Sequence, residues 1–237
     1  VVGGHLSPNG GLLAAYEDAY ETPFGHIEAD HDLLSALKSL VPLREDTTPD
    51  NTVEIQLPFV KYVFPEARAL WLRAAPSDHA ILLGEALHRA AEDTHRNIVV
   101  IGSTDLTHYG PNYSFTPAGT GTRALAWVKE QNDRRLIDLL LKPDLTASIS
   151  DALEHSSACS VGGAVAAASF AVAVAAGATP FRAPAGNAAE DTTERTSPTP
   201  SSPGGAVHGK LLSYYTSYDI YPHDSFVGYA GIVYMSA

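Results

Sequence analysis

Apolar and polar positions change period along the chain, and each period predicts an element. Val1 and Val2 read as the end of a buried strand, which Gly3 and Gly4 break. His5 then stands where that strand gives way to a loop of Ser7, Pro8, Asn9 and Gly10. DHDLLSALKSL, Asp30 to Leu40, spaces its leucines helically, with Asp30 as N-cap. ARALWLRAA, Ala67 to Ala75, predicts a strand, and SDHAILLGEALHRAAED, Ser77 to Asp93, an amphipathic helix capped by Ser or Asp. NIVVIGSTD, Asn97 to Asp105, is a short, nearly all-apolar strand. Strand, helix, strand at this spacing is a βαβ unit. It implies an α/β fold with a central mixed, largely parallel sheet flanked by helices.

Further along, GTRALAWVKEQNDRRLIDLLLK, Gly121 to Lys142, predicts one long helix or two short ones, and another follows from Asp144. An alanine-rich helix begins just after Cys159. Its uncharged run, Val161 to Ala178, approaches a membrane-spanning length, but alanine and glycine are too weakly apolar for that, so a buried helix is expected. Lys210–Ile220 and Ser225–Met235 carry the aromatic and β-branched residues of two closing strands. The Pro-, Ser- and Thr-rich stretch 183–208 lacks periodicity and is expected to be a mobile inserted loop within one domain. The whole of 1–237 reads as that single domain.

Composition narrows the function classes. The chain has 237 residues, 45% hydrophobic and 18% charged, an ordinary globular balance. A net charge of −12 repels phosphate backbones and argues against nucleic acid as a partner. A single cysteine, Cys159, forbids an internal disulfide and fits a reducing compartment such as the cytoplasm. No membrane partner is expected. The chain starts on Val1, inside an apparent strand, which predicts a missing N-terminal strand segment.

Three positions carry the strongest chemical signals. In STDLTHYG, Asp105 and His108 lie three residues apart, just past the C-terminal end of an apolar strand. Open α/β sheets collect their chemistry at such ends, and an aspartate this close orients an imidazole or raises its basicity. The plainer alternative is a capping aspartate beside a surface histidine. His5 occupies a similar place after the first strand. Cys159 stands at a helix start, where the helix dipole favours a thiolate. Glu54, in VEIQLPF, reads equally as a buried partner for a histidine or as an exposed strand residue. His155 reads as a supporting group or as surface. The run from Glu17 to His31 and the histidines at 79, 88 and 95 read as solvated. Neither a phosphate cradle of standard form nor a G-x-S-x-G elbow is present in the sequence.

Taken in order, GGHLSP, YETPFGHIEADHDLL, NTVEIQLPF, STDLTHYG, the Cys159 helix start and YTSYDI…SFVGYAGIVY resemble the Memo family, also called AmmeMemoRadiSam system protein B. That resemblance implies a fold like the class III extradiol dioxygenases. Those enzymes hold a non-haem Fe(II) with two histidines and a carboxylate. Memo proteins replace the carboxylate by cysteine. Carried over, His5 matches a metal histidine and Cys159 the cysteine ligand. His108 matches the acid/base histidine, with Asp105 from the same motif, and Glu54 matches the motif glutamate. Two departures stand out. Asn51 replaces the usual first histidine of H-S-x-E-x-x-L-P-F, and an amide does not titrate. The family's other metal histidine, in a Pro-His-Ala-Gly-Tyr motif, would precede Val1.

The resemblance implies a metal-binding redox protein using Fe(II) or Cu. The alternative is a non-catalytic peptide- or protein-binding module that partners radical-SAM and AMMECR-type proteins. A zinc hydrolase on the same residues is a third option, weakened by its incomplete ligand set. The ligand is expected to be a small molecule or peptide.

Overall fold

The computed structural model describes residues 1–177 and 207–235. Most of the expected loop at 183–208 lies outside the described residues. The chain opens with short strands: β1 (Val2–Gly3), β2 (Leu12–Ala14), β3 (Ala19–Thr22) and β4 (Gly25–Glu28). Helix α1 (His31–Leu40) follows, and Asp30 caps it, its carboxylate accepting from Leu33 N at 3.1 Å. Next come β5 (Leu43–Glu45), α2 (Asn51–Glu54), α3 (Leu57–Val63), β6 (Leu72–Ala74) and α4 (Asp78–Asp93).

β1, β6, β2 and β5 form one sheet in that order. β1–β6 and β2–β5 are parallel and β6–β2 is antiparallel, so the sheet is mixed as expected. The predicted strand at 97–105 contributes only a parallel bridge from Gly102 to Val2. Val2 N donates to Ile101 O and Ser103 N donates to Val2 O, both at 2.8 Å. Pairing stops there because β1, its partner, is itself only two residues long.

The second half holds β7 (His108–Tyr109), α5 (Thr122–Trp127), α6 (Asp133–Leu141), α7 (Leu145–His155), α8 (Val161–Ala176), β8 (Gly209–Thr216), α9 (Ser217–Ile220) and β9 (Phe226–Tyr234). A π-helical turn, Val128–Asn132, joins α5 to α6, so the expected long helix is continuous but locally widened. β9 lies between β7 and β8, antiparallel to both. The expected strand at 210–220 ends early. Thr216 and Asp219 form a capping box that turns the chain into α9.

VEIQLPF, open between alternatives in sequence, is helical. Asp50 caps α2 by accepting from Thr52 N at 2.9 Å, and Pro58 lies in the first turn of α3, where its missing N–H costs nothing.

Two surface expectations need correction. His88 is only 18% exposed and packs edge-on against Phe170 of α8, because its position on α4 faces that helix. Its Nε2 has no hydrogen-bond partner among the described residues. Asp30, within the acidic run, is buried as the α1 cap. Among the described residues no helix is long and apolar enough to cross a membrane.

The core joins α1, α4, α6 and α8 to the mixed sheet through Leu37, Leu83, Leu136, Val165 and Leu72. α8 approaches the sheet closely: a Cβ on Gly163 would lie 2.4 Å from Val2 O. That contact fixes the start of α8, and hence Cys159, at the end of β1.

Candidate metal centre

The loop carrying STDLTHYG is held from both sides. Leu106 N donates to Gly228 O at 3.0 Å, and Gly228 N donates to Thr107 O at 3.1 Å, tying the loop to β9. Behind it, buried Asp133 accepts from Thr107 N at 3.0 Å and from the Tyr214 hydroxyl at 2.8 Å. Burial pushes the Asp133 carboxyl up, against the pull of those hydrogen bonds. Asn132, at the end of the π turn, donates to Thr107 Oγ1 at 2.9 Å. His108 therefore leaves a backbone that has little freedom to move.

Cys159 is pinned to the same loop. Its N–H donates to Asp105 O at 3.2 Å, and Ser160 N donates to Thr104 Oγ1 at 3.0 Å. The result brings the side chains of Asp105, His108 and Cys159 together, with one potential ligand atom from each within 4.8 Å of the others. His108 Nε2 lies 3.1 Å from Asp105 Oδ2, and the ring rests against Tyr113 with centroids 4.8 Å apart.

The electrostatics follow from these contacts. The Asp105 hydrogen bond and the Cys159 hydrogen bond outweigh partial burial, and His108 is pushed up to about 9. Burial pushes the Cys159 thiol up, yet hydrogen bonds with His108, Ser160 and the Asp105 backbone bring it down to about 7. Near neutral pH the pair is an imidazolium facing a thiol that is about half ionised.

His5 is not a member of that cluster. It adopts a left-handed backbone conformation, φ 57°, uncommon for a side chain with a Cβ. Its Nδ1 lies 3.3 Å from Oδ2 of Asp50, which also accepts from Arg73 Nη1 at 3.1 Å. A carboxylate on the Nδ1 side favours the proton there and leaves Nε2 as an acceptor. The preceding residue, Gly4, touches the start of α8: a Cβ there would lie 2.3 Å from Ser160 Cβ. Gly4 N also donates to Thr52 Oγ1 at 3.0 Å.

Comparison with known proteins agrees with the order of these segments. A family model described as Memo-like protein matches residues 2–233. The chain belongs to the Memo-like family. Its Memo-like relatives include MEMO1 family proteins of archaea. One from Thermococcus onnurineus is 28% identical over 97% of this chain and 74% of the relative. One from Pyrococcus furiosus is 26% identical over 96% of this chain and 74% of the relative. One from Methanopyrus kandleri is 30% identical over 97% of this chain and 70% of the relative.

The remaining Memo-motif residues fall elsewhere. Glu54 lies on α2, half-buried, and lines a separate cavity with Tyr20, Trp71 and Arg73. Asn51 is exposed on the first turn of α2. His155 ends α7 with Nδ1 3.5 Å from Asp151 Oδ1, outside the cluster. Gln56 links the two motifs, donating to Ser103 Oγ at 3.2 Å. Asp50 and Gln56 escaped the sequence reading. Asp50 resembles any helix cap, and Gln56 any polar residue between apolar neighbours.

Proposed function

We propose that this Memo-like protein is a metal-dependent redox protein with a dioxygenase-like site, in which Cys159 and His5 bind the ion and His108 handles a proton. The close approach of Asp105, His108 and Cys159 carries the roles of Cys159 and His108, and His5 enters by its Memo-motif position at the end of β1. The donor set fits a transition ion. A thiol that ionises this readily is a soft ligand, unsuited to Mg or Ca and well suited to Fe(II) or Cu. Asp105 offers a third donor atom, the number non-haem iron sites expect. Such an ion, when bound, supplies one-electron chemistry. His108, clamped by Asp105, holds a proton beside the thiolate and can give it to a small molecule bound there or take it back. Tyr113 shields one side of that imidazole. A thiolate site of this kind works best where thiols stay reduced, as in the cytoplasm.

Titration of metal-free protein with Co(II) tests the thiolate ligand. The expected result is a sulfur-to-cobalt charge-transfer band that Cys159→Ser abolishes. A spectrum without that band would overturn Cys159 as ligand.

A second reading is a peptide- or protein-binding module acting with radical-SAM and AMMECR-type partners. It is favoured by an exposed apolar stripe on α3 and the turn before it, with Ile55 53%, Phe59 67% and Tyr62 70% exposed, and Phe24 packed beside Tyr62. Stoichiometric binding of a partner that Phe59→Glu abolishes, by protein that takes up no metal, would favour it.

A further inference from the structure

The metal centre stands on a buried polar network that starts in the π turn. Asp133 N donates to Val128 O, one residue further back than in an α-helix. Asn132 and Asp133 are consecutive, both are fully buried, and both reach Thr107. Asn132 Nδ2 donates to Thr107 Oγ1 at 2.9 Å, and the Thr107 hydroxyl in turn donates to Asp133, as does Thr107 N. Consecutive side chains of a regular α-helix diverge by about 100°, which works against a shared partner. The wider turn lets these two converge on one hydroxyl.

The network has a second arm. Arg135 donates to Asn132 Oδ1 at 2.8 Å and also to Asp151 of α7. Asp151 accepts from the buried Ser157 hydroxyl at 2.6 Å, and Asn132 donates to His155 O at 3.1 Å. Thr107 immediately precedes His108, and Ser157 stands two residues before Cys159. One connected set of hydrogen bonds therefore grips the chain beside both partners. β8 and β9 close it from the far side. Tyr214 donates to Asp133, and Gly228 packs so tightly on that carboxylate that a Cβ there would overlap it.

As plain structure this arrangement is costly. Asp133 is buried among neutral donors, with no cation beside it among the described residues. Apolar side chains would fill the same space without that desolvation. What a fully satisfied polar network adds is a single fixed arrangement. We propose that Asn132 and Asp133 are positioning residues of the metal centre: through Thr107 on one side, and through Arg135, Asp151 and Ser157 on the other, the π turn sets the separation of His108 and Cys159. This inference rests on the reading of that pair as part of a working centre, and it holds whichever ion is bound.

The test reads the pH profile of Cys159 alkylation by iodoacetamide in metal-free protein. Thr107→Val keeps the side-chain shape and the N–H bond to Asp133 but removes the shared hydroxyl. Its profile should move up by about half a pH unit or more, toward the ordinary thiol range of about 8.5, so that alkylation at pH 7 falls at least about twofold. Thr107→Ser should restore the wild-type profile. Ser157→Ala cuts the other arm and should move the profile the same way. The double variant should move it by less than the sum of the two, as expected of residues in one network. Leu37→Ala leaves a core cavity in α1, which contributes nothing to the centre, and should not move the profile although it weakens the fold. Ser157→Ala carries the test should Thr107→Val fail to fold. A wild-type profile in the folded single variants would overturn the proposal. So would an equal shift in Leu37→Ala, failure of serine to restore the profile, or strict additivity of the two arms. Wild-type protein that takes up no metal would overturn the metal reading and leave this outcome standing.

Discussion

Nε2 of His108 lies 3.1 Å from Oδ2 of Asp105, and a ring nitrogen of the same imidazole lies within 4.8 Å of the Cys159 sulfur. One histidine is thus held between a carboxylate three residues back and a thiol 51 residues ahead. The two contacts reinforce each other, since each favours the charged ring.

The first prediction concerns the thiol in metal-free protein. Its alkylation rate by iodoacetamide should rise with pH and reach half its maximum near 7, where the Cys159 thiol ionises. His108→Ala removes the principal donor and leaves the burial, so the midpoint should climb to about 8.5 or higher, the ordinary thiol range or above. A midpoint that does not move would show that His108 does not govern the thiolate.

Arg73 is the second test. Its side chain is 8% exposed and contacts Asp46 and Asp50, which are 11% and 6% exposed. Arg73→Met leaves two buried carboxylates uncompensated, and the expected loss is about 3–5 kcal/mol. The pH dependence has a definite sign. Burial pushes the Asp46 carboxyl up, but the Arg73 and Thr48 hydrogen bonds outweigh it and hold it below the usual carboxylate range. Its folded-state stabilisation is therefore present above the unfolded pKa of about 3.9 and is lost as pH falls through the lower folded value. Urea unfolding of wild type and Asp46→Asn at neutral and acid pH measures this, and the variant should lose part of the acid dependence. Destabilisation by Arg73→Met of less than about 1 kcal/mol would mean that solvent already screens the network.

The contact that fixes α8 on the sheet gives a third prediction. Alanine is the better helix former by about 1 kcal/mol, so propensity alone says that Gly163→Ala stabilises. The added Cβ, however, would meet Val2 O at 2.4 Å and Ser103 O at 2.9 Å, both backbone atoms. Overpacking of that kind costs about 1–3 kcal/mol, and it should win. Thermal unfolding should show a lower Tm for Gly163→Ala. A higher Tm would mean that the helix can shift away from β1 without cost.

Much of the local structure was legible because it is set by neighbours in sequence. The Asp30 cap and the Asp144 cap, which accepts from Ala147 N at 3.0 Å, are read from a side chain and the helix it starts. The Asp105–His108 pair is legible for the same reason, being three residues apart. Cys159 is legible by itself, as a thiol at a helix start, but its meeting with Asp105 and His108 depends on how α8 packs on β1, which nothing local announces. Strand lengths were overestimated where the partner strand is short, as at 97–105. His88 shows how a helix face misleads: position 88 is polar, but α8 packs over it. The His5–Asp50 contact joins residues whose local roles are a loop and a helix cap, and neither role announces the other.

Metal content is the most direct test of the central claim. Protein purified without an affinity metal column is loaded anaerobically with Fe(II) or Cu(I), desalted and measured by elemental mass spectrometry. Wild type should carry near-stoichiometric metal, Cys159→Ala and His5→Ala should lose it, and His108→Ala should keep it. Wild-type protein that retains no metal, or Cys159→Ala that retains as much as wild type, would contradict a metal centre built on Cys159.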